Sequence, residues 1–318
     1  VAPGTYQENI NFNKEVVLAS RFIFDGYESY VDQTILDGNG SDVITIDNMD
    51  NIELIGLTIQ NGNHGIKLTG TNLVYHYNHN YDYLKIINNS DYGIHGNQRY
   101  QDAYLKNSII KGNGAGLHFN NHVNFHLHNV IVEDNVGDGI YAYQSYPHIY
   151  DSIVRNNGAN GIYGNYWNPW TIKTTLVYNN GGDGISVYSN TNTTSTVQNC
   201  TIYGNQGQGI AGLVNVENSI IYNNSSSSLD GDVNIIYSNI EGGYSGEGNI
   251  NEDPLFNNPD NGDFTLQPNS PCIDAGNPET EYDSDGSIAD QGAYQFTQIL
   301  GCMDPLAANY NELAQIEN

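Results

Sequence analysis

Positive charge is scarce in this sequence. Nine Lys and Arg stand against 36 Asp and Glu, a net of −27 over 318 residues. A nucleic-acid partner needs a basic surface, so none is expected, and so acidic a chain suits a salty or calcium-containing exterior. Cysteine is nearly absent. Three do not make a disulfide framework, although a Cys272–Cys302 bridge stays open. No run of 18 apolar residues occurs, so no membrane span is expected. No segment carries a sustained 3.6-residue hydrophobic period, which argues against a helical repeat. Zinc-type Cys/His spacing, a phosphate loop and Gly-x-Ser-x-Gly are all missing, so no organic cofactor is called for.

Asparagine fills the gap, and it recurs. Asn61, Asn89, Asn113, Asn135, Asn157, Asn180, Asn205 and Asn224 form one series, and the first seven each precede a Gly-Ile or Gly-Leu by three or four residues. A period of about 22 residues built from β-branched runs and Gly/Asn turns is the signature of a solenoid. Stacked coils of that kind predict an all-β chain, a right-handed parallel β-helix with a C-terminal irregular cap. Ile66, Ile94, Leu117, Ile140, Ile162, Ile185 and Ile210 should form one inward stack. Ile110, Val132, Val154, Val177, Ile202 and Ile221 should form a second, and the turn asparagines should bond to one another along the axis. Cys200 shares a repeat position with Ser108, Val130, Ser152, Thr175 and Ser219, which predicts a small, buried, unreactive thiol.

The chain resembles the secreted right-handed parallel β-helix proteins, the pectate-lyase-like group. Val1-Ala-Pro-Gly-Thr-Tyr-Gln-Glu-Asn-Ile is similar to their first coil. Asp253-Pro-Leu-Phe, Asp263-Phe-Thr-Leu and Asp290-Gln-Gly-Ala-Tyr resemble the C-terminal end found in marine Bacteroidetes-type sequences. Gly301-Cys-Met-Asp-Pro-Leu resembles the start of a short module that follows such domains. The organisation expected is β-helix over 1–250, cap over 251–298 and the beginning of a truncated module over 299–318. The resemblance implies a secreted or cell-surface protein with a processed start and further domains in the same chain.

In that group the strand opening at Gly-Ile commonly carries the active site. Alternation turns the residue after Ile outward, giving Lys67, His95, His118, Tyr141, Tyr163, Ser186 and Ala211. All nine His fall between His64 and His148. That stretch is nearly neutral, so an anion could be drawn to it. A uronate lyase must neutralise a carboxylate, remove the α-proton and protonate the leaving oxygen. Lys67, His95, Arg99, His118 and Tyr141 are the catalytic candidates, in a row expected to contain no acid. Tyr143, Tyr163, Trp167 and Trp170 offer flat faces for sugar rings, though the Trp pair could instead cap a loop. Tyr146-Pro-His148 shares only Pro-His with alginate epimerases. Asp138 and Asp183 could serve an inverting glycosidase, but Asp-Gly is first a turn signal. Asp283, Asp285, Ser287 and Asp290 alternate around a Gly as in a structural Ca²⁺ loop, or form an acidic surface turn. The expectation is thus a polysaccharide partner and lyase-like chemistry, with a non-catalytic adhesin as the alternative and a hydrolase third.

Overall fold

The computed structural model describes the chain except residues 71–76, 98–100, 122, 166–168, 189–192, 227–228, 304, 308–315 and 318. It is a parallel β-solenoid. One wall is a sheet of ten short parallel strands in sequence order, from Ile10–Phe12 to Leu229–Asp230. The other two walls join into one sheet of 19 strands, because Gln101–Lys111 and Val123–Glu133 run through the bend between them.

The inward columns are those the repeat predicts. Ile44, Ile66, Ile94, Leu117, Ile140, Ile162, Ile185, Ile210 and Leu229 pair in register from rung to rung. Opposite them run Ile86, Ile110, Val132, Val154, Val177, Ile202, Ile221 and Ile240. Nearly all are fully buried. Each buried aliphatic side chain contributes roughly 1.5–3 kcal/mol relative to exposure, which sets the chain's register against slippage.

Asparagine serves two separate needs at the bends. Asn156, Asn179 and Asn223 adopt left-handed backbone, which Asn tolerates better than most residues. The residue that follows each is a ladder residue. The Asn135 amide Nδ2 donates to Oδ1 of Asn157 at 2.9 Å, Asn157 to Asn180 at 2.9 Å and Asn180 to Asn205 at 2.9 Å. The same oxygens accept the backbone N–H of the preceding ladder residue. Asn61 is not in this ladder as expected. It takes the left-handed position, and the N–H of Gly62 bonds Asn89 Oδ1 in its place.

A second ladder runs through the Cys200 column. Ser152, Thr175, Ser219 and Ser238 each donate to the carbonyl two residues back. Cys200 does the same, its Sγ 3.2 Å from the Gln198 carbonyl, while its N–H donates to Ser219 Oγ at 3.1 Å. Cys200, Cys272 and Cys302 are all free thiols, so the Cys272–Cys302 bridge does not form.

Two short helices, Phe22–Asp25 and Ser29–Gln33, interrupt the first coils. Val31 from the second is buried against the wall, its carbonyl accepting from Thr58 Oγ1 at 2.7 Å. At the end of the large sheet Asn239 makes an isolated parallel bridge to Ile250. Beyond it the hairpin Phe256–Asn258 and Asp263–Leu266 lies along the helix flank. There Phe264 packs on Tyr178 and Tyr203.

Candidate functional site

The groups singled out in the sequence meet on the ten-stranded wall. Lys67, His95, His118, Tyr141 and Tyr163 occupy one outward column on consecutive rungs. Their rings form a continuous file. His95 meets His118 edge to face at 5.4 Å, His118 stacks on Tyr141 at 4.4 Å, and Tyr141 stacks on Tyr163 at 5.5 Å between centroids. The file ends there, since Ser186 and Ala211, next in the column, are buried.

Strict alternation misses a second outward column beside it. The glycine before each Ile faces inward. A Cβ on Gly65 would stand 2.5 Å from Cγ2 of Ile86, and one on Gly139 2.7 Å from Nδ2 of Asn157. Two successive residues therefore point to the core, and the residue preceding Gly joins the outward face. This adds His64, Tyr92 and Asp138, and also Asp42, which precedes the buried pair Val43-Ile44 at the equivalent place. His64 is only 6% exposed. Its Nδ1 lies 2.6 Å from Asp42 Oδ1, its Nε2 3.4 Å from Asp91, and its ring stacks on His95 at 5.1 Å. Tyr92 packs on His118 at 4.5 Å.

Acids thus flank the row, although the row itself holds none, as expected. Asp42 binds Lys67 Nζ at 2.8 Å as well as His64. Burial works to raise its carboxyl, but the hydrogen bonds from Lys67 and His64 outweigh that and hold it at about 2.

The environment drives the two central groups apart. Burial and the neighbouring His95 lower His118 to about 4, so it is neutral at pH 7. The Asn120 amide lies 2.9 Å from its Nε2 and orients the ring; with the amide oxygen accepting from Nε2–H, Nδ1 is the nitrogen left to take a proton. Burial first, then Tyr163 and Asp138, raise the Tyr141 phenol. A neutral imidazole that can accept a proton lies on a phenol that retains one.

The remaining candidates divide. Tyr143 is half-buried at the next outward position. Arg99 and Trp167 lie outside the described residues. Trp170 is corrected: it is 3% exposed and packs in the core against Phe125. Gly164 leaves it room, since a Cβ there would come within 2.2 Å of the indole. It presents no face to a ligand.

In the loop expected to hold Ca²⁺ the carboxylates accept backbone and side-chain donors. Asp283 Oδ2 accepts the Asp290 N–H, Asp285 accepts from Ser287 and the Gln298 N–H, and Asp290 accepts the N–H groups of Asp274 and Phe296. Ser287 Oγ donates to Asp285 rather than turning toward a cation. These carboxylates close a turn, and among the described residues no three His, Cys, Asp or Glu are arranged to hold a metal ion. Asp138 and Asp183 are likewise turn residues, accepting from Asn160 and from the Gln208 N–H.

The family model described as a right-handed β-helix region matches residues 42–195. The fold is thus that of the right-handed parallel β-helix proteins. Among solved structures, a pectate lyase, Pel9A, superposes with a TM-score of 0.63 at 17% identity, covering 93% of this chain and 86% of that one. The A-module of mannuronan C-5 epimerase AlgE6 of Azotobacter vinelandii gives 0.50 at 15% identity, over 80% and 87%. At such identities the likeness reaches the fold. No curated protein sequence matches. No helix among the described residues is long and apolar enough to cross a membrane.

Proposed function

We propose that the Lys67–Tyr163 row binds an acidic, uronate-containing polysaccharide and cleaves it by β-elimination. The observation that carries this reading is the His118–Tyr141 pair, two stacked groups whose ionisations are displaced in opposite directions. That both similar structures act on uronate polymers, pectate and mannuronan, supports it.

In this scheme the uronate carboxylate lies against Lys67, which keeps N–H donors beyond the one given to Asp42. His118 takes the proton on the carbon α to that carboxylate. The electron pair forms a carbon–carbon double bond and the glycosidic C–O bond breaks. Tyr141 gives its proton to the departing oxygen. Asp42 acts as a positioning residue, holding Lys67 and His64 in place.

The test is a panel of alginate, pectate, ulvan and neutral glycans, followed at 235 nm for unsaturated uronate and by reducing-sugar assay. Absorbance from an acidic glycan that is abolished in Tyr141→Phe is the expected result. Reducing ends without absorbance would replace elimination by hydrolysis. Binding without either signal would favour an adhesin, a reading that gains some support from Asp42, which already neutralises the row's one lysine.

A further inference from the structure

A second ladder of basic groups stands round the corner from this row, on the neighbouring wall. Tyr104, His126, His148 and Thr171 follow one another in register. Tyr104 stacks on His126 at 4.4 Å and 7°, and His126 on His148 at 4.8 Å and 9°. The outward column two residues on holds Lys106, His128, Tyr150 and Lys173. Four consecutive rungs therefore each present an ammonium or imidazole: Lys106, then His126 with His128, then His148, then Lys173. In a chain with nine Lys and Arg, this is a marked concentration.

The acids around this strip are engaged. Asp82 accepts from Asn107 Nδ2 at 2.9 Å, Asp102 from Asn124 Nδ2 at 2.7 Å, and Asp151 faces His128 Nδ1 at 3.1 Å. The ion pairs of Lys67, Lys85 and Lys111 have no counterpart at Lys106 or Lys173 among the described residues. His126 Nε2 is buried and makes no hydrogen bond among the described residues. Its surroundings are Tyr104 and His148 on either side, Asn124 and His128 along its strand, and the Asp102 charge.

We propose that this strip is a second binding site, separate from the Lys67–Tyr163 row, for a carboxylated polymer lying along the helix axis, and that occupancy is linked to proton uptake by His126 and His148. Rungs about 4.8 Å apart place donors at roughly the spacing of successive sugar units in an extended chain. Burial lowers both imidazoles, with His148 adding to the effect at His126. They are neutral at pH 7.5 and gain a proton only in acid, where an ionised carboxylate alongside favours the cationic form. Each new pair is then a charge-assisted hydrogen bond. The choice of a uronate rests on the function proposed above; the preference for a polyanion rests on the strip alone.

The experiment titrates the whole chain with an octameric oligogalacturonate, and with its fully methyl-esterified form as the uncharged control. Calorimetry at pH 5.0 and 7.5 is paired with the imidazole C–H resonances. Binding at least about tenfold tighter at pH 5.0, shifts at His126 and His148, and no binding of the ester are expected. His126→Gln/His148→Gln should remove the pH dependence. Lys106→Ala/Lys173→Ala, altering side chains outside the core, should weaken binding at both pH values. No binding, binding without those shifts, or a pH dependence that survives the histidine double variant would overturn the proposal. Unsaturated product without a response at the strip would overturn the strip alone. A strip response without product would sustain it and count against the lyase reading.

Discussion

His118 and Tyr141 lie ring on ring, 4.4 Å between centroids, on adjacent rungs. Each makes the other's role more definite, because the stack buries part of both and so favours the neutral imidazole and the neutral phenol. Tyr141→Phe keeps the stack and removes the proton. It should lower kcat on an acidic glycan by about 10²-fold or more with little change in KM. His118→Ala should lower kcat similarly. A steady-state comparison at 235 nm checks both, and equal kcat in wild type and Tyr141→Phe would refute the assignment.

Adjacent asparagines should behave oppositely. Asn157→Ala leaves the Asn135 N–H without a partner in the core and removes one of the two hydrogen bonds at Asn135 Nδ2 and at Asn180 Oδ1. It should destabilise by about 1–3 kcal/mol. Asn156→Gly, at a left-handed bend, should stay within about 0.5 kcal/mol. Urea denaturation of the two variants gives the contrast directly.

Protonation of His79 should cost the fold stability in mild acid. His79 is fully buried, and burial lowers it to about 4 against the pull of Asp50. Its unfolded value near 6.5 is higher, so the unfolded chain binds more protons between those values. Stability is therefore complete above about pH 6.5 and falls as pH drops toward 4, by on the order of 3 kcal/mol from this group. His79→Gln should flatten the decline in Tm over that window. An unchanged slope would remove His79 as its source.

Asp42 contributes lower on the scale. Its carboxyl is depressed to about 2, so its stabilisation is present above about pH 4 and is lost as pH falls toward 2, on the order of 2 kcal/mol. The stability gap between wild type and Asp42→Asn should be constant at neutral pH and close in strong acid.

Cys200 stands in a file of hydroxyls, and burial pushes its thiol up to about 12. Cys200→Ser restores the file and should change stability by no more than about 1 kcal/mol in either direction. Native protein should resist a bulky thiol reagent at this position. Addition of a chelator should leave Tm unchanged, given how the Asp283–Asp290 carboxylates are used.

The repeat was legible because its signals are periodic. Ile140, Ile162 and Ile185 stack as their spacing requires, and Lys67 to Tyr163 face outward as alternation dictates. The partners of that row were not legible. His64 and Tyr92 turn outward only because Gly65 and Gly93 turn inward, a break in alternation that the dipeptide Gly-Ile does not announce by itself. The recurring glycine, with no room for a Cβ, was the available signal. Trp170 was misread for a related reason: an indole beside a loop gives no sign of facing inward unless Gly164, six residues earlier, is recognised as the space it fills. At the Asp283 loop the sequence leaves two readings open, because alternating oxygens suit a cation and backbone amides equally well.

The inward glycine also separates chemistry from architecture. Each rung holds two outward positions, one before Gly and one after Ile, while the Gly-Ile between them answers only to the interior. Residues as unlike as His64, Tyr92, Ala115 and Asp138 occupy the first position without disturbing the register of Ile66 through Ile140. The wall works as a pegboard: new side chains can be installed rung by rung, and the reaction or ligand exchanged, while the holes stay where they are.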